Sequence, residues 1–533
     1  MVKKNLRVIA LSFSMLLLFP ACGGEEGNGD GGKAEVIPGK KATIVIKVVT
    51  PPNQSLGSKP ATVRIVLDGI PQSPLEVTVE YGERIEQSFT ATPGAGLTVT
   101  VEVLDIKGDV IMRGKSAVFD LSENEQKEIS ILISETGKYF SLEETWDPAG
   151  FGHTATDIGN GRVLLIGGAE RAENSQSIIK PAGKISTPAL YDHSTLRFCS
   201  AGDKDCKAVS DDLAKRAFHT ATLLDDGTIF VFGGYSEDGA LRADPAIFDP
   251  EKEKWEGIED SNIPSPRAGH SATRLTDESL KGKVLIAGGV LESGEVSKEA
   301  FLFDPRNRSF EKIEDMQWAR AFHTETDLQN ALGEVLITGG FSEEALPSTK
   351  VELFRASEVG QRVAKFIKLE IASPDYKAEL ETGRYYHSAA RLINGSVIIC
   401  GGKGADGPLA TCELYDPTIG EIGALVRVVA AANMKFPRYG LALSLLDDGA
   451  VLITGGVTSN GGVDTVIGSS ELFVSSDIAQ TSALEGTFFA AEDGVERAFH
   501  RATLLRDGRV LLTGGIKSLP GSSQNVISVY TPE

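Results

Sequence analysis

The residues of this chain with the clearest chemical potential are six histidines at one position of a repeated motif. In five copies an arginine stands three residues before the histidine, as in Arg216-Ala217-Phe218-His219. One copy keeps His153 without the arginine, and another keeps Arg438 but has Leu441 in place of histidine. The full set is His153, His219, His270, His323, His387, His500, Arg216, Arg267, Arg320, Arg384, Arg438 and Arg497. Imidazoles act as metal ligands and general bases near neutral pH. Whether these six can form one metal or catalytic site depends on whether the fold brings them together.

The elements around these residues are short strands and tight turns. A Gly-Gly doublet ends an apolar run after each copy, with first glycines Gly167, Gly233, Gly288, Gly339, Gly401, Gly455 and Gly514. The interval from the histidine, or from Leu441, to that glycine is 14 residues in five of the seven copies. Pairs such as Asp226-Gly227 lie between them and suit a two-residue hairpin. A third strand such as Leu302-Phe303-Asp304-Pro305 and a fourth with an aromatic such as Trp255 follow, so each copy predicts four strands.

This pattern resembles the kelch repeat, whose blades carry a double glycine and downstream aromatic residues and close into a β-propeller. The resemblance covers residues 137–533 and implies seven blades. The last apolar run, Val526 to Pro532, has the features of a third strand. Phe140 precedes His153 by the interval that separates Phe310 from His323, so we expect Tyr139 to Leu142 to supply the missing outer strand.

A propeller spreads equivalent residues around its axis, so the six histidines cannot share one ion held about 2 Å from each nitrogen. We therefore assign the histidines and arginines to packing and hydrogen bonding within and between blades, with a ligand-facing role for the arginines as the alternative. No GxSxG, HExxH, Walker or CxxC motif occurs in its required context, so we predict no catalytic residue, metal or cofactor. The kelch resemblance leaves open a sugar-modifying enzyme, isomerase-like or oxidase-like, with its site in the central cavity.

Loops between the second and third strands, and loops between blades, share one face of a propeller, which we call the loop face. Several are long, namely residues 169–188, 196–215, 371–383 and 475–496. Length concentrated on one face is typical of binding. We therefore predict a monomer that binds a protein or glycan partner there, through contacts from Tyr235, Phe341, Lys403, Arg171, Lys180 and Tyr376.

Residues 39–136 form a separate unit in the sequence. Seven segments of alternating apolar residues are divided by turn residues such as Pro51-Pro52 and Asp68-Gly69, which predicts an immunoglobulin-like β-sandwich. We expect a spacer, with carbohydrate or partner binding as the alternative. The predicted fold class is therefore all-β, with a seven-bladed kelch-type β-propeller preceded by a small β-sandwich.

The first 38 residues predict an export signal and a tether. Lys3, Lys4 and Arg7 precede an apolar run that is too short to span a bilayer. The pair Ala21-Cys22 resembles the end of a bacterial lipobox, which implies a signal peptide of residues 1–21, a lipid on Cys22 and, with Gly23 following, an outer-membrane lipoprotein of the cell envelope. Residues 22–38 are Gly-rich and predict a flexible tether. Ordinary signal cleavage is the alternative.

The net charge restricts the class of partner, and the cysteine content bears on the cellular compartment. Among 533 residues, 53 Lys and Arg stand against 74 Asp and Glu, a net charge of -21 that argues against nucleic acid as a partner. Besides Cys22 there are four cysteines, Cys199, Cys206, Cys400 and Cys412. An exported chain permits disulfides, and three pairings are open, of which the local pairs 199–206 and 400–412 are the simplest.

Overall fold

A computed structural model describes residues 41–50, 59–69, 75–81, 85–116, 118–146, 150–159, 161–175, 178–192, 197–199, 212–358, 361–369, 377–418, 424–427, 433–475 and 486–533. Regular structure in this part of the chain is strand, apart from a 3-10 turn at Asp212–Ala214. None of its helical segments is long and apolar enough to cross a bilayer. The expected signal peptide and tether, with Cys22, lie outside the described residues, as do Cys206 and Tyr376.

The N-terminal sandwich consists of two facing sheets. Its strands are β1 Ala42–Val49, β2 Pro60–Asp68, β3 Leu75–Glu80, β4 Glu86–Ala91, β5 Gly94–Asp105, β6 Val110–Lys115, β7 Phe119–Leu121, β8 Gln126–Leu132 and β9 Ser134–Glu135. One sheet has the order β4-β1-β8 and the other β3-β2-β5-β6-β9, with β7 paired to β5. Alternate residues such as Ile44, Ile65 and Val101 are fully buried between the sheets, as the alternation of apolar residues predicts. The segment from Val110 to Phe119, predicted as one strand, is divided into β6 and β7, and β9 is additional.

The remaining strands are β10 Lys138–Thr145, β11 Thr154–Gly159, β12 Arg162–Ile166, β13 Ala169–Ser175, β14 Ile178–Ile185, β15 Ala189–Asp192, β16 Arg197–Cys199, β17 Thr220–Leu223, β18 Ile229–Phe232, β19 Ala246–Asp249, β20 Lys254–Gly257, β21 Arg267–Ala268, β22 Ser271–Arg274, β23 Val284–Ala287, β24 Val290–Leu291, β25 Ala300–Asp304, β26 Ser309–Lys312, β27 Thr324–Asp327, β28 Glu334–Thr338, β29 Val351–Glu358, β30 Gln361–Lys368, β31 Ser388–Arg391, β32 Val397–Cys400, β33 Lys403–Gly404, β34 Gly407–Pro408, β35 Cys412–Asp416, β36 Ala424–Arg427, β37 Ala442–Leu445, β38 Val451–Thr454, β39 Val457–Asn460, β40 Val463–Val466, β41 Ser470–Ser475, β42 Gly486–Ala490, β43 Arg501–Leu504, β44 Val510–Thr513, β45 Gly521–Ser522 and β46 Val526–Thr531.

Seven four-stranded antiparallel sheets form the blades of a closed propeller. From the inner strand outwards, blades 1 to 7 are β11-β12-β15-β16, β17-β18-β19-β20, β22-β23-β25-β26, β27-β28-β29-β30, β31-β32-β35-β36, β37-β38-β41-β42 and β43-β44-β46-β10. Each inner strand contacts the next, and β43 contacts β11, which completes the ring. In blade 7 the outer strand β10 runs antiparallel to β46, with Tyr139 opposite Tyr530. The predicted closure by residues from both ends of the propeller segment is confirmed.

The second strand of each blade forms its apolar centre. All four residues of Ile229–Phe232 are buried, because a blade is covered on both faces by its neighbours. Phe230 of blade 2 stacks on Phe303 of blade 3 with ring centroids 4.1 Å apart. A strand that is covered on both faces has no side that faces solvent, so its sequence is uniformly apolar.

The sandwich packs against the propeller end opposite the loop face. This end carries the hairpins between first and second strands, and we call it the hairpin face. The Ser134 and Thr531 hydroxyls are hydrogen-bonded at 2.5 Å, and Arg113 donates to the Glu533 carbonyl at 3.0 Å. Leu132 of the sandwich joins the apolar cluster of Phe140 in blade 7. The sandwich therefore contacts the hairpin face beside blade 7.

Candidate functional site

The six repeated histidines lie between blades, and each bonds to the blade before it. Their Nε2 atoms are hydrogen-bonded to hydroxyls in the pairs His153–Thr513 (2.8 Å), His219–Thr154 (3.0 Å), His270–Thr220 (3.0 Å), His323–Ser271 (2.6 Å), His387–Thr324 (2.9 Å) and His500–Thr454 (2.7 Å). Among the described residues no group of three potential metal ligands is found. The imidazoles are thus distributed around the ring as links between successive blades.

The choice of hydroxyl follows the sequence of the inner strand. In blades 1 to 4 the residue after the motif is Thr or Ser, and its hydroxyl is hydrogen-bonded to the histidine of the next blade. Blades 6 and 7 have Ala442 and Arg501 there, and the histidines that follow bond instead to Thr454 and Thr513, at the end of the second strand. Where Leu441 replaces histidine, Ser388 donates to its backbone carbonyl at 2.8 Å. A polar link between these blades is retained without an imidazole.

Burial keeps these histidines neutral. Desolvation, with smaller contributions from neighbouring arginines, lowers the pKa of His153, His270 and His387 to about 3. Burial likewise lowers the pKa of His219, His323 and His500 well below the usual value of 6.5. A base with so low a pKa holds no proton near neutral pH and accepts one poorly, so these imidazoles are unsuited to general acid–base catalysis.

The six arginines cross their own blades and are fully buried or nearly so. Arg320 donates from Nη1 to the Gly339 carbonyl at 2.8 Å and from Nη2 to the Glu352 carboxylate at 2.7 Å. Arg384 and Arg438 make the same contacts with Glu413 and Glu471. The doublet carbonyl and a third-strand carboxylate therefore share each of these guanidinium groups. Arg267 uses Glu299, and Arg216 lies near Asp244.

Arg497 in blade 7 departs from this arrangement. Ser528 occupies the third-strand position of the glutamates, and it accepts a hydrogen bond from Nη2 at 3.0 Å. The Nε and Nη1 atoms have no hydrogen-bond partner in the described part of the chain. Burial lowers the pKa of Arg497 to about 10. This guanidinium is therefore the least compensated of the six.

An aromatic cluster closes the propeller axis on the loop face. The residues directly before the repeated histidines or Leu441 have positive φ of 53° to 74°, and they are Gly152, Phe218, Gly269, Phe322, Tyr386, Gly440 and Phe499. Main-chain hydrogen bonds join successive members, as from the Phe322 amide to the Gly269 carbonyl at 2.8 Å. The Tyr386 ring lies 4.7 Å from Phe322 and 5.0 Å from Phe499, centroid to centroid. We call Phe151, Phe218, Phe322, Tyr386, Tyr439 and Phe499 the axial plug.

Glycine is required where a ring from the next blade lies against the backbone. A Cβ on Gly269 would stand 2.5 Å from the Phe322 ring. We expect Gly269→Ala to lower the free energy of unfolding by about 2–4 kcal/mol, because overlap with the ring adds to the cost of positive φ. The matched control is Gly227→Ala, where φ is also positive but open space surrounds the Cβ, with an expected cost of about 1 kcal/mol. Equal losses in denaturant unfolding would contradict the packing assigned to the plug.

A hairpin from blade 1 covers the plug. Strands β13 and β14 pair with each other, and β13 also pairs with β45 of blade 7, with Arg171 opposite Ser522. Ile178 and Ile179 pack against the plug, and the Ile179 amide donates to the Tyr386 hydroxyl at 3.1 Å. We call β13 and β14 the cap. Sequence reasoning treated residues 169–188 as a loop and missed both cap and plug, although the glycines and aromatics before the histidines were a visible signal.

Five of the six predicted contact residues surround this axial region, and the sixth, Tyr376, lies outside the described residues. Arg171 and Lys180 are exposed on the cap. Lys403 is partly exposed, with Nζ 5.4 Å from the centroid of the Tyr439 ring. Tyr235 and Phe341 are only 6% and 8% exposed, so they support the surface from beneath. The exposed candidates are therefore the three cations.

Phenols near the plug are hydrogen-bonding groups. Tyr439 donates its hydroxyl to the Asp464 carboxylate at 2.8 Å. Burial and, to a smaller extent, Asp464 raise the pKa of Tyr385 to about 12. Burial also raises the pKa of Tyr386 and Tyr439. Phenols that stay protonated at neutral pH donate hydrogen bonds but do not abstract protons, so the region is suited to recognition.

Among the described residues, the structure places a disulfide within blade 5. Cys400, at the end of β32, and Cys412, at the start of β35, are directly opposite in the ladder and form a disulfide. Cys199 lies in β16, and its proposed partner Cys206 is outside the described residues.

The closed ring, the doublet glycines and the buried arginines together define a kelch-type β-propeller. Comparisons with known proteins support this fold class. A family model described as Attractin/LZTR1 beta-propeller matches residues 190–407. Alpha-scruin of Limulus polyphemus is 26% identical over 216 residues, which are 38% of this chain and 20% of that protein. Beta-scruin of the same organism is 29% identical over 189 residues, or 34% and 18%. Adagio-like protein 3 of Oryza sativa subsp. japonica is 25% identical over 181 residues, or 33% and 26%. The match spans about a quarter or less of each of these relatives.

Proposed function

We propose that this chain is an exported, lipid-anchored binding module that recognises a protein or glycan partner through the loop face. The observation that carries the proposal is that Arg171 and Lys180 lie on the cap and Lys403 lies beside Tyr439 of the plug, so that all three are on the loop face around a largely buried axis. Concave or rimmed surfaces built by loops on a rigid scaffold are where propellers and other β folds carry recognition. Cations on such a surface favour a partner with carboxylates or other anionic groups.

The two ends of the propeller support different roles. On the hairpin face the sandwich already contacts blade 7 through Arg113 and Ser134. The loop face carries the cap and the short hairpins β33–β34 and β39–β40, which extend past the blades. An attachment end and a recognition end on opposite faces are what a tethered binding module needs.

Export and anchoring are proposed from the N-terminal sequence and the cysteines. The Cys400–Cys412 disulfide supports an oxidising compartment such as the cell envelope. The lipobox-like Ala21-Cys22 and the Gly-rich residues 22–38 support a lipid on Cys22 and a flexible link to the sandwich. If Cys22 carries the lipid, the Cys22→Ser variant should lose acyl labelling and should be released from membranes.

A protein partner is better supported than catalysis. The matching relatives share the propeller class, and this class serves many functions. A sugar-modifying enzyme in the central cavity would need an accessible site with groups that transfer protons. The plug and the cap close the axis on the loop face, and the phenols there have raised pKa values. We therefore place recognition on the surface of the loop face.

Charge reversal on the two faces tests the proposal. We expect the unmodified protein to migrate as a larger complex on native gels of detergent-solubilised membranes. The triple variant Arg171→Glu, Lys180→Glu and Lys403→Glu should lose this complex, because like charges repel an anionic partner. The matched control changes three exposed cations of the hairpin face, Lys252→Glu, Lys281→Glu and Arg306→Glu, with the same change in net charge. Loss of the complex in the control alone, or in neither variant, would contradict binding through the loop face.

A further inference from the structure

An axial channel runs through the propeller beneath the plug. Second strands cover the inner strands from behind, and neighbouring inner strands contact each other at the sides. Every residue of Ser271–Arg274, Thr324–Asp327 and Ser388–Arg391 is nevertheless partly exposed. Their accessible surface therefore faces the axis. Because the plug and the cap close the loop-face end, the channel is entered from the hairpin face.

Arg501 lies at the closed end of this channel. It is the first residue of β43, directly after His500 and two residues after Phe499 of the plug. Arg501 Nε donates to the His153 carbonyl at 2.9 Å, so the side chain extends from blade 7 to blade 1. The equivalent residues of the other six inner strands are short, namely Thr154, Thr220, Ser271, Thr324, Ser388 and Ala442.

The Arg501 side chain is enclosed by the ring and is still accessible. Desolvation lowers the pKa of Arg501. After the larger effect of desolvation, the charge of Arg501 contributes to the lowered pKa of His153, His219 and His500, which belong to blades 1, 2 and 7. Arg501 is nevertheless an exposed residue. A side chain that protein surrounds and that keeps accessible surface faces an internal space, which here is the channel.

No carboxylate compensates this charge. The inner strands carry three carboxylates, and each is engaged elsewhere, in the pairs Asp157–Arg506 (3.4 Å), Glu325–Thr273 (2.8 Å) and Asp327–Thr276 (3.0 Å). None of the three pairs with Arg501, and no acid raises the pKa of Arg501 against the effect of desolvation. In the part of the chain that the structure describes, Arg501 Nη1 and Nη2 have no hydrogen bond or ion pair.

The other two arginines of the inner strands lie at the hairpin-face end and have partners. Arg274 Nη1 donates to the Asp225 carboxylate, and Arg391 Nε donates to the Leu328 carbonyl at 3.0 Å. Arg501 differs from both, because neither of its Nη atoms has an acceptor and its charge is desolvated. A desolvated charge without a partner is costly, so a ligand that offsets it is favoured.

The Nη atoms of Arg501 select the class of that ligand. A guanidinium has N–H donors in one plane and no acceptor, and a negatively charged oxygen best offsets its charge. The fork of Nη1 and Nη2 matches two oxygens of one carboxylate or phosphate group. Thr503 lies on the same face of β43, two residues nearer the hairpin face, and is partly exposed, so its hydroxyl is a further donor. A neutral ligand would leave the charge uncompensated.

We propose that the closed end of the axial channel binds one small oxyanion through Nη1 and Nη2 of Arg501. A free inorganic anion and the acid group of a small organic molecule share this chemistry. At the entrance, Asp157 and Asp327 are balanced by Arg274 and Arg391, so the entrance does not exclude an anion. The proposal does not depend on the partner of the loop face, because the plug and the cap separate Arg501 from that surface.

Two matched variants test the site on the full chain. Arg501→Thr introduces the residue that blades 1, 2 and 4 hold at this position, where its hydroxyl bonds to the histidine of the next blade. We therefore expect this variant to fold, with a melting temperature no lower than that of the unmodified protein. Arg391→Gln is the control, because it removes a positive charge from the same channel at the hairpin-face end.

Binding is measured by NMR with three probes at millimolar concentration and constant ionic strength. Saturation transfer reports on acetate and D-glucuronate, and broadening of the phosphorus line reports on inorganic phosphate. We expect a signal from at least one probe with the unmodified protein, reduced about tenfold or more in Arg501→Thr by loss of charge-assisted hydrogen bonds. Arg391→Gln should keep most of the signal. A signal from phosphate alone assigns the site to an inorganic anion, and a signal from acetate or D-glucuronate assigns it to an organic acid.

Two results would overturn the inference. One is the absence of a signal from all three probes, which would leave Arg501 solvated by water in the channel. The other is a signal that persists in Arg501→Thr or is lost equally in Arg391→Gln, which would show that the anion binds elsewhere or responds only to net charge. If Arg501→Thr fails to fold, Arg501→Lys, which keeps the charge without the planar fork, should still give a weaker signal than the unmodified protein. An equal signal from Arg501→Lys would contradict binding by the fork.

Discussion

Arg320→Met is expected to lower the free energy of unfolding by about 3–5 kcal/mol, because it leaves a buried carboxylate without its cation. Arg320 and Glu352 side chains are both 0% exposed, and their charged groups are 2.7 Å apart. The Gln317 and Trp318 amides also donate to Glu352, but neutral donors do not replace a guanidinium. Denaturant unfolding of the purified propeller-containing chain measures the loss.

Two matched variants identify the cause of that loss. The double variant Arg320→Met and Glu352→Leu removes both charges, and we expect it to recover most of the stability, since a buried ion pair and an apolar pair often differ little. Arg497→Met removes an arginine that faces Ser528 instead of a carboxylate, and should cost about 1 kcal/mol or less. A loss at Arg497 as large as at Arg320 would show that packing, and not charge, explains the effect.

Acid is expected to destabilise the fold between pH 6.5 and about pH 4.5 more steeply than carboxylates alone would explain. The six repeated histidines have pKa values far below 6.5 in the folded chain, because burial disfavours their charged form. The unfolded state therefore binds more protons below pH 6.5, and the stability present above this pH is lost as the pH falls towards 3. Each such histidine contributes up to about 1.4 kcal/mol per pH unit.

One buried carboxyl acts in the opposite direction. Burial raises the pKa of Glu325 to about 7, so the folded state holds an extra proton there and gains stability as the pH falls from 7 towards 4.5. One group cannot offset six histidines. Melting temperatures measured at intervals from pH 7.5 to 4.5 test the balance, with His270→Gln expected to show a shallower decline. A melting temperature that is flat from pH 7 to 5 would contradict the neutral, buried state of the histidines.

The sequence predicted the propeller because its signals are local and repeated. Doublet glycines and hairpin turns act within one blade, and the pairing of Tyr139 with Tyr530 could be inferred from a blade that lacked its outer strand. The histidine contacts depend on neighbouring blades, and whether His500 bonds to the inner or the second strand follows from Ala442, 58 residues earlier in the chain. Such long-range choices are visible only when the ring is closed.

The candidate site was predicted in part for a related reason. Choosing Lys403, Arg171 and Lys180 required only the rule that these loops share a face. The cap could not be foreseen, because Ala169–Ser175 has little alternation of apolar residues and gains its order by pairing with Gly521–Ser522 of the last blade. Tyr235 and Phe341 looked like contact residues because they follow the glycine doublets, but the plug draws Phe341 into its apolar cluster.

Site-specific photo-crosslinking in membranes of the native cell tests binding through the loop face most directly. A photoreactive phenylalanine analogue is placed at Lys180 or Ala405, both exposed on the loop face, and at Lys252 or Lys281, both exposed on the hairpin face. The account predicts an adduct of the same mass from both loop-face positions and none of that mass from the hairpin-face positions. An adduct formed from Lys252 and Lys281 but not from Lys180 and Ala405 would contradict it.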